Sequence, residues 1–152
     1  MPQTFKASGY ARKYSKPVLT PWSDQVVIDS DPAYRSGTFP NDASYITQVT
    51  FVVTTEMLRN RSYHVSRLIV TCDATSSASL RGSIQMQIDG VTWGSAKIMT
   101  DVGDGWGSHV WNIPVQDYDH GFTITIQVGA SNNSNGYTFR HAQIDGIVET
   151  RI

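Results

Sequence analysis

The chain has 152 residues, a formal net charge of −1 and a charged fraction of 16%. That length suits one domain with a core of its own, and the near-neutral balance supplies no global field for nucleic acid. A single cysteine excludes an intramolecular disulfide, and no run approaches the length of a membrane-spanning helix. The opening Met-Pro-Gln-Thr-Phe-Lys lacks the apolar segment of a signal peptide, so the expectation is a protein made in a cytoplasm. With so few charges, the polar surface must come mostly from Ser, Thr, Asn and Gln.

Residues 1–43 hold Pro2, Pro17, Pro21, Pro32 and Pro40, which leaves only Pro114 for the rest of the chain. Proline removes a ladder donor and pushes its predecessor toward extended geometry, so regular sheet is not expected here. Yet the segment carries Phe5, Tyr10, Tyr14, Trp22, Tyr34 and Phe39, unlike ordinary disorder, which is poor in aromatics. The reading is an extended arm over 1–43 that needs a surface, ahead of a β domain over 44–152. That surface is either its own domain or a neighbouring subunit. Lys6, Arg12, Lys13 and Lys16 precede the first acidic residue, Asp24. This density falls short of a nucleic-acid arm and suits docking on an acidic protein surface. Phe5, Tyr10, Arg12, Lys13, Tyr14 and Trp22 are the candidate partner-binding residues.

Residues 26–29 suggest a short first strand. Farther on, Tyr45, Val49, Phe51 and Val53 read as one strand face, with Gln48, Thr50 and Thr54 on the other. Residues 56–61 read as a polar turn with room for one helical turn. Val65, Ile69, Val70 and Thr71 favour a strand over 65–72 and place Cys72 among apolar neighbours as a buried reduced thiol. Residues 74–79 read as a loop of small residues.

The plainest signal spans residues 82–99. Ile84, Met86 and Ile88 alternate with Gln85, Gln87 and Asp89, the period of a strand with one dry face. Asp89-Gly90 supplies the positive φ of a tight turn, and Val91, Trp93 and the run to Met99 read as the returning strand. A glycine-dense loop over 101–107 carries Trp106, and 109–115 forms another short strand. Phe122, Ile124, Ile126 and Val128 alternate with Thr123, Thr125 and Gln127. A turn over 132–136 leads to one long strand over 137–152, in which Asp145-Gly146 reads as a bulge or tight turn. About eight strands joined by short turns predict an all-β, two-sheet β-sandwich, with a jelly roll as its arrangement.

Catalytic signatures are missing from the pattern: no nucleophile elbow, phosphate loop, zinc-protease helix or dinucleotide fingerprint. Asp117, Asp119 and His120 read as a polar turn rather than a metal site. Asp101 and Asp104 are spaced as in a calcium loop but lack its further ligands. His64 and His141 read as packed or surface histidines. Nothing orders Asp101, Asp104, Asp117 and Asp119 into the paired acids of a glycosidase. No catalytic residue, metal or cofactor is expected. Trp93, Trp106 and Trp111, with Tyr118 nearby, are the candidate ligand-binding residues, because tryptophan faces stack on sugar rings. The competing reading puts them in the core.

The Met-Pro-Gln start, the proline- and aromatic-rich arm from Phe5 to Phe39 and the Ser/Thr/Asn-rich β domain carry a resemblance. In these features the chain resembles small structural proteins of bacteriophage virions, namely capsid decoration or cement proteins and the jelly-roll domains of tail tips. The resemblance implies a non-enzymatic protein that clamps coat subunits, a homo-oligomer such as a trimer, and residence in the virion. No family motif matches residue by residue, so no site residue is carried over. The alternative is a carbohydrate- or receptor-binding module with Trp93 and Trp106 as platforms.

Overall fold

The computed structural model describes residues 19–40, 42–59, 63–76, 82–101, 107–115, 120–129 and 136–151. Its strands are β1 (Leu19–Asp31), β2 (Arg35–Thr38), β3 (Tyr45–Val53), β4 (His64–Ser76), β5 (Ser83–Ile88) and β6 (Val91–Thr92). They continue as β7 (Lys97–Ile98), β8 (Thr100–Asp101), β9 (Ser108–Pro114), β10 (Phe122–Gly129) and β11 (Gly136–Arg151). One sheet places β1 and β2 end to end along β11, followed by β4, with β9 and the short β8 on the far side. The other runs β3, β10, β5, then β6 and β7. Every pairing is antiparallel except the two-residue contact of β8 with β4.

The pairing is nested. β1 pairs with β11, β3 with β10, β4 with β9, and β5 with β6 and β7. This is one long ribbon, folded at its middle and rolled into two facing sheets, which is the jelly-roll plan. The fold in the ribbon is the expected turn: Asp89 has φ of 49° and Gly90 of 81°, the two left-handed residues that suit the strand twist. Asp89 also ties the turn to β10. Its N–H donates to the Thr123 carbonyl, and its Oδ1 accepts from the Thr123 N–H, both at 2.9 Å.

The core lies between the sheets. Leu68, Val70, Cys72, Ala142, Ile144 and Ile113 from the first sheet meet Phe51, Val53, Ile84, Met86, Ile124 and Ile126 from the second. Each strand alternates inward and outward, so one apolar face per sheet is enough to bury this set.

Several expectations are corrected. Among the described residues, β1 and β2 lie within the segment expected to avoid sheet, and they form the outer edge of the first sheet along β11. An edge strand tolerates proline because one side of its ladder is unused. Pro21 falls where the β1–β11 register slips between Thr20 and Asp24, while Pro32 and Pro40 lie outside the strands. Between β1 and β2 the Asp31 carboxylate accepts from the Ala33 N–H and pairs with Arg35 at 2.6 Å. Residues 74–76 belong to β4 rather than to a loop. Gly146 itself sits in regular pairing; against β4 the irregularities of β11 fall between Phe139 and His141 and between Ile147 and Val148, while against β1 one shift, between Val27 and Asp29, adjoins Asp145. The return of the central hairpin is interrupted: after β6 pairs with Gln87 and Ile88, residues 93–96 loop out before Lys97 rejoins opposite Ile84. Gly94, with φ of 69°, permits that detour.

Gln48 points inward, against expectation. Ile126 pairs with Val49 but Gln127 pairs with Thr47, so Gln48 is the extra residue of a β-bulge. Both Gln48 and Val49 are turned into the sandwich, and the buried Gln48 amide donates to the Tyr137 hydroxyl at 3.0 Å. The one-turn helix Thr55–Leu58 is capped by Thr54, whose hydroxyl accepts from the Met57 N–H.

Candidate binding surface

Of the sequence-predicted site residues, Trp22, Trp93 and Trp111 are among the described residues, and they belong to different parts of the chain's strand order. Phe5, Tyr10, Arg12, Lys13, Tyr14, Trp106, Asp104, Asp117, Tyr118 and Asp119 lie outside the described residues. Trp22 falls within β1, in the short interval where its pairing with β11 slips. Trp93 is half-buried and packs against the core. Trp111 is 5% exposed, so it is a core residue and not an open platform for a sugar ring. Its position on β9 puts it on the inward side with His109 and Ile113, and the Lys97 ammonium lies 5.6 Å from its ring centroid.

His109 stands beside Trp111 with ring centroids 6.5 Å apart. Burial holds the His109 imidazole below the usual histidine range. The nearby Lys97 adds to this, while a hydrogen bond with the Ala74 backbone and the charge of Asp73 work against it. Its Nε2 and the Trp111 Nε1 are buried and without hydrogen-bond partners among the described residues. Cys72 is fully buried, and desolvation raises its thiol pKa far above the ordinary value, with Asp73 adding to the rise. Such a thiol is not a nucleophile. His64 and His141 stand half-exposed on β4 and β11. Among the described residues there is no cluster of three or more His, Cys, Asp or Glu placed to hold a metal ion, and no helix long and apolar enough to cross a membrane.

The two outer faces differ sharply in chemistry. That of the first sheet carries Arg67, Asp73, His141 and Asp145. Ser108 donates to Asp73 at 2.6 Å, and Gln143 donates to Asp145 at 2.7 Å. The second sheet holds no charged residue in β3, β5, β6 or β10. Its outer face is built of rows that cross the strands: Thr47, Gln127 and Gln85; then Thr50, Thr125, Gln87 and Thr92; then Val52 and Thr123.

A chain of hydrogen bonds crosses four strands in one direction. The Thr92 hydroxyl donates to Gln85 Oε1 at 3.5 Å, Gln85 Nε2 to Gln127 Oε1 at 2.9 Å, and Gln127 Nε2 to Thr47 Oγ1 at 3.3 Å. The bulge at Gln48 brings Thr47 into this row. At the end of the face, Val52 and Thr123 run into a groove of about 440 Å³ that is also lined by Thr54, Thr55, Glu56, Asp89 and Gly121. The sequence showed Thr50, Gln85, Gln87, Thr123, Thr125 and Gln127 as the wet sides of their strands, whereas Thr47 shares the parity of Val49 and reaches this face only through the bulge. Which strands are neighbours is not written in any one segment.

No family model matches the chain, and no curated protein matches it. Among solved structures it is similar to the C-terminal domain of EclA, described as a sugar-binding protein. That likeness has 10% identity and a TM-score of 0.49, over 86% of this chain and 84% of that one. It is also similar to a family 35 carbohydrate-binding module from Clostridium thermocellum, with 8% identity and a TM-score of 0.44, over 80% of this chain and 97% of that one. The VP2 subviral particle of infectious bursal disease virus is similar at 10% identity and a TM-score of 0.43, over 86% of this chain and 37% of that one. At these identities and scores the likeness is one of sandwich architecture and brings no ligand, partner or activity to this chain.

Proposed function

We propose that this protein is a non-enzymatic structural component of a viral particle, a decoration protein that fastens neighbouring coat subunits through the segment ahead of its first strand. The observation that carries this reading is the composition of the segment ahead of the described strands. Residues 1–18 hold Phe5, Tyr10, Tyr14 and all four early cations, with no acidic residue among them. Fully extended, they reach about 60 Å, against roughly 40 Å for the breadth of a domain of this size. The segment is long enough to contact a neighbour, and its aromatics bury apolar area at about 25 cal/mol per Å² to offset the entropy of ordering it. Assembly as a homo-oligomer, a trimer by analogy with decoration proteins, would multiply weak contacts into avidity.

Deleting residues 2–18 tests the reading. The shortened protein should keep its far-ultraviolet circular dichroism and thermal midpoint but lose co-sedimentation with intact particles. Undiminished co-sedimentation would overturn the role of the segment.

A further inference from the structure

We infer that the outer face of the second sheet binds a neutral polysaccharide. The first observation is its lack of charge. Its strands β3, β5, β6 and β10 carry no charged residue, and Lys97 of β7 is engaged with the Trp111 ring. The second is its order. The hydrogen-bonded run from Thr92 through Gln85 and Gln127 to Thr47 holds the amides in fixed orientations before anything binds, so little side-chain entropy remains to be lost. The third is its end, where the same face enters the groove with Thr54, Thr55, Glu56 and Asp89.

The chemistry selects the occupant. A nucleic acid or an acidic or basic peptide would lose hydration here and meet no opposite charge. A protein partner usually needs an aromatic or arginine anchor at the centre of its footprint. The central rows offer only Thr and Gln, and the exposed aliphatics of this sheet, Ile46, Val52, Val91 and Ile98, lie on its outlying strands β3, β6 and β7. Sugar hydroxyls both donate and accept, as threonine hydroxyls do and as glutamine amides do with two atoms. Four strands about 4.8 Å apart give a track some 15 Å wide, and the carboxylates of the groove accept from hydroxyls at one end of it. The surface depends neither on the leading segment nor on stacking by Trp106.

The test is electrophoresis of the full-length protein through native gels containing soluble neutral polymers (a β-glucan, a xylan and a galactomannan) or polygalacturonate. At least one neutral polymer should retard the protein, equally at 50 and 500 mM salt. The double variant Thr125→Val with Gln127→Leu should weaken that retardation at least tenfold at unchanged solution mass. Gln87→Glu, which places a charge on a half-exposed position, should do the same and serves if the double variant does not fold. Deletion of residues 2–18 and Trp106→Ala should leave retardation intact, which separates this surface from the coat-binding segment. Retardation by no neutral polymer, retardation by the acidic polymer alone, full binding by a folded variant, or loss of binding with the segment or with Trp106 would each overturn the assignment. So would a change of solution mass in the variants, since that would make the face a protein interface.

Discussion

Trp111 and His109 are two residues apart on β9, and that spacing on a strand gives both the same fate. The tryptophan reads as a platform when only its neighbours in sequence are considered, but alternation with the exposed Val110 and Asn112 sends it into the core. His109 goes with it and is kept neutral by desolvation. The unfolded chain takes up its proton near pH 6.5, whereas the folded protein does so only at lower pH. Acid therefore favours the unfolded state: the contribution of His109 is whole above about pH 6.5 and is lost as the pH falls through the folded value. Urea midpoints measured at pH 7.5 and 5.5 should drop for the native protein and drop less for His109→Phe. Equal drops in the two proteins would show that this imidazole does not set the acid sensitivity.

The strands themselves were largely legible. Period-two alternation located β5, β10 and most of β3, β4, β9 and β11, and Asp89-Gly90 marked the turn, because one-sided burial and positive φ leave local traces. What stayed hidden needed a partner strand to be visible. The inward turn of Gln48 depends on slippage against β10, and the admission of Pro21 into a strand depends on β1 being at an edge. The neutral face depends on β3, β10, β5 and β6 lying side by side, which no single segment announces. Close backbone approach is another property of pairs. A side chain on Gly129, the last residue of β10, would collide with the Ser44 carbonyl and sit 2.8 Å from the Tyr45 Cα. Gly129→Ala should therefore cost roughly 1–3 kcal/mol through backbone displacement, read as a lower urea midpoint. An unchanged midpoint would mean that the start of β3 yields freely.

At the scale of the molecule, the nested pairing joins the most distant parts of the chain first to last, a topology in which most strand partners are far apart in sequence. Closing such long loops before any pairing rewards them makes folding slow, on the order of milliseconds to seconds. The same nesting sets Leu19 opposite Arg151. The root of the leading segment and the tail of the chain thus share one corner of the sandwich. On the proposed coat-binding role, a fluorescent protein joined behind residue 152 would stand beside Leu19, where the leading segment is attached, and should hinder attachment to particles. The same cargo inserted at Gly90, in the exposed turn at the fold of the ribbon, should hinder it far less. Comparing the occupancy of labelled particles for the two fusions reads out that geometry directly.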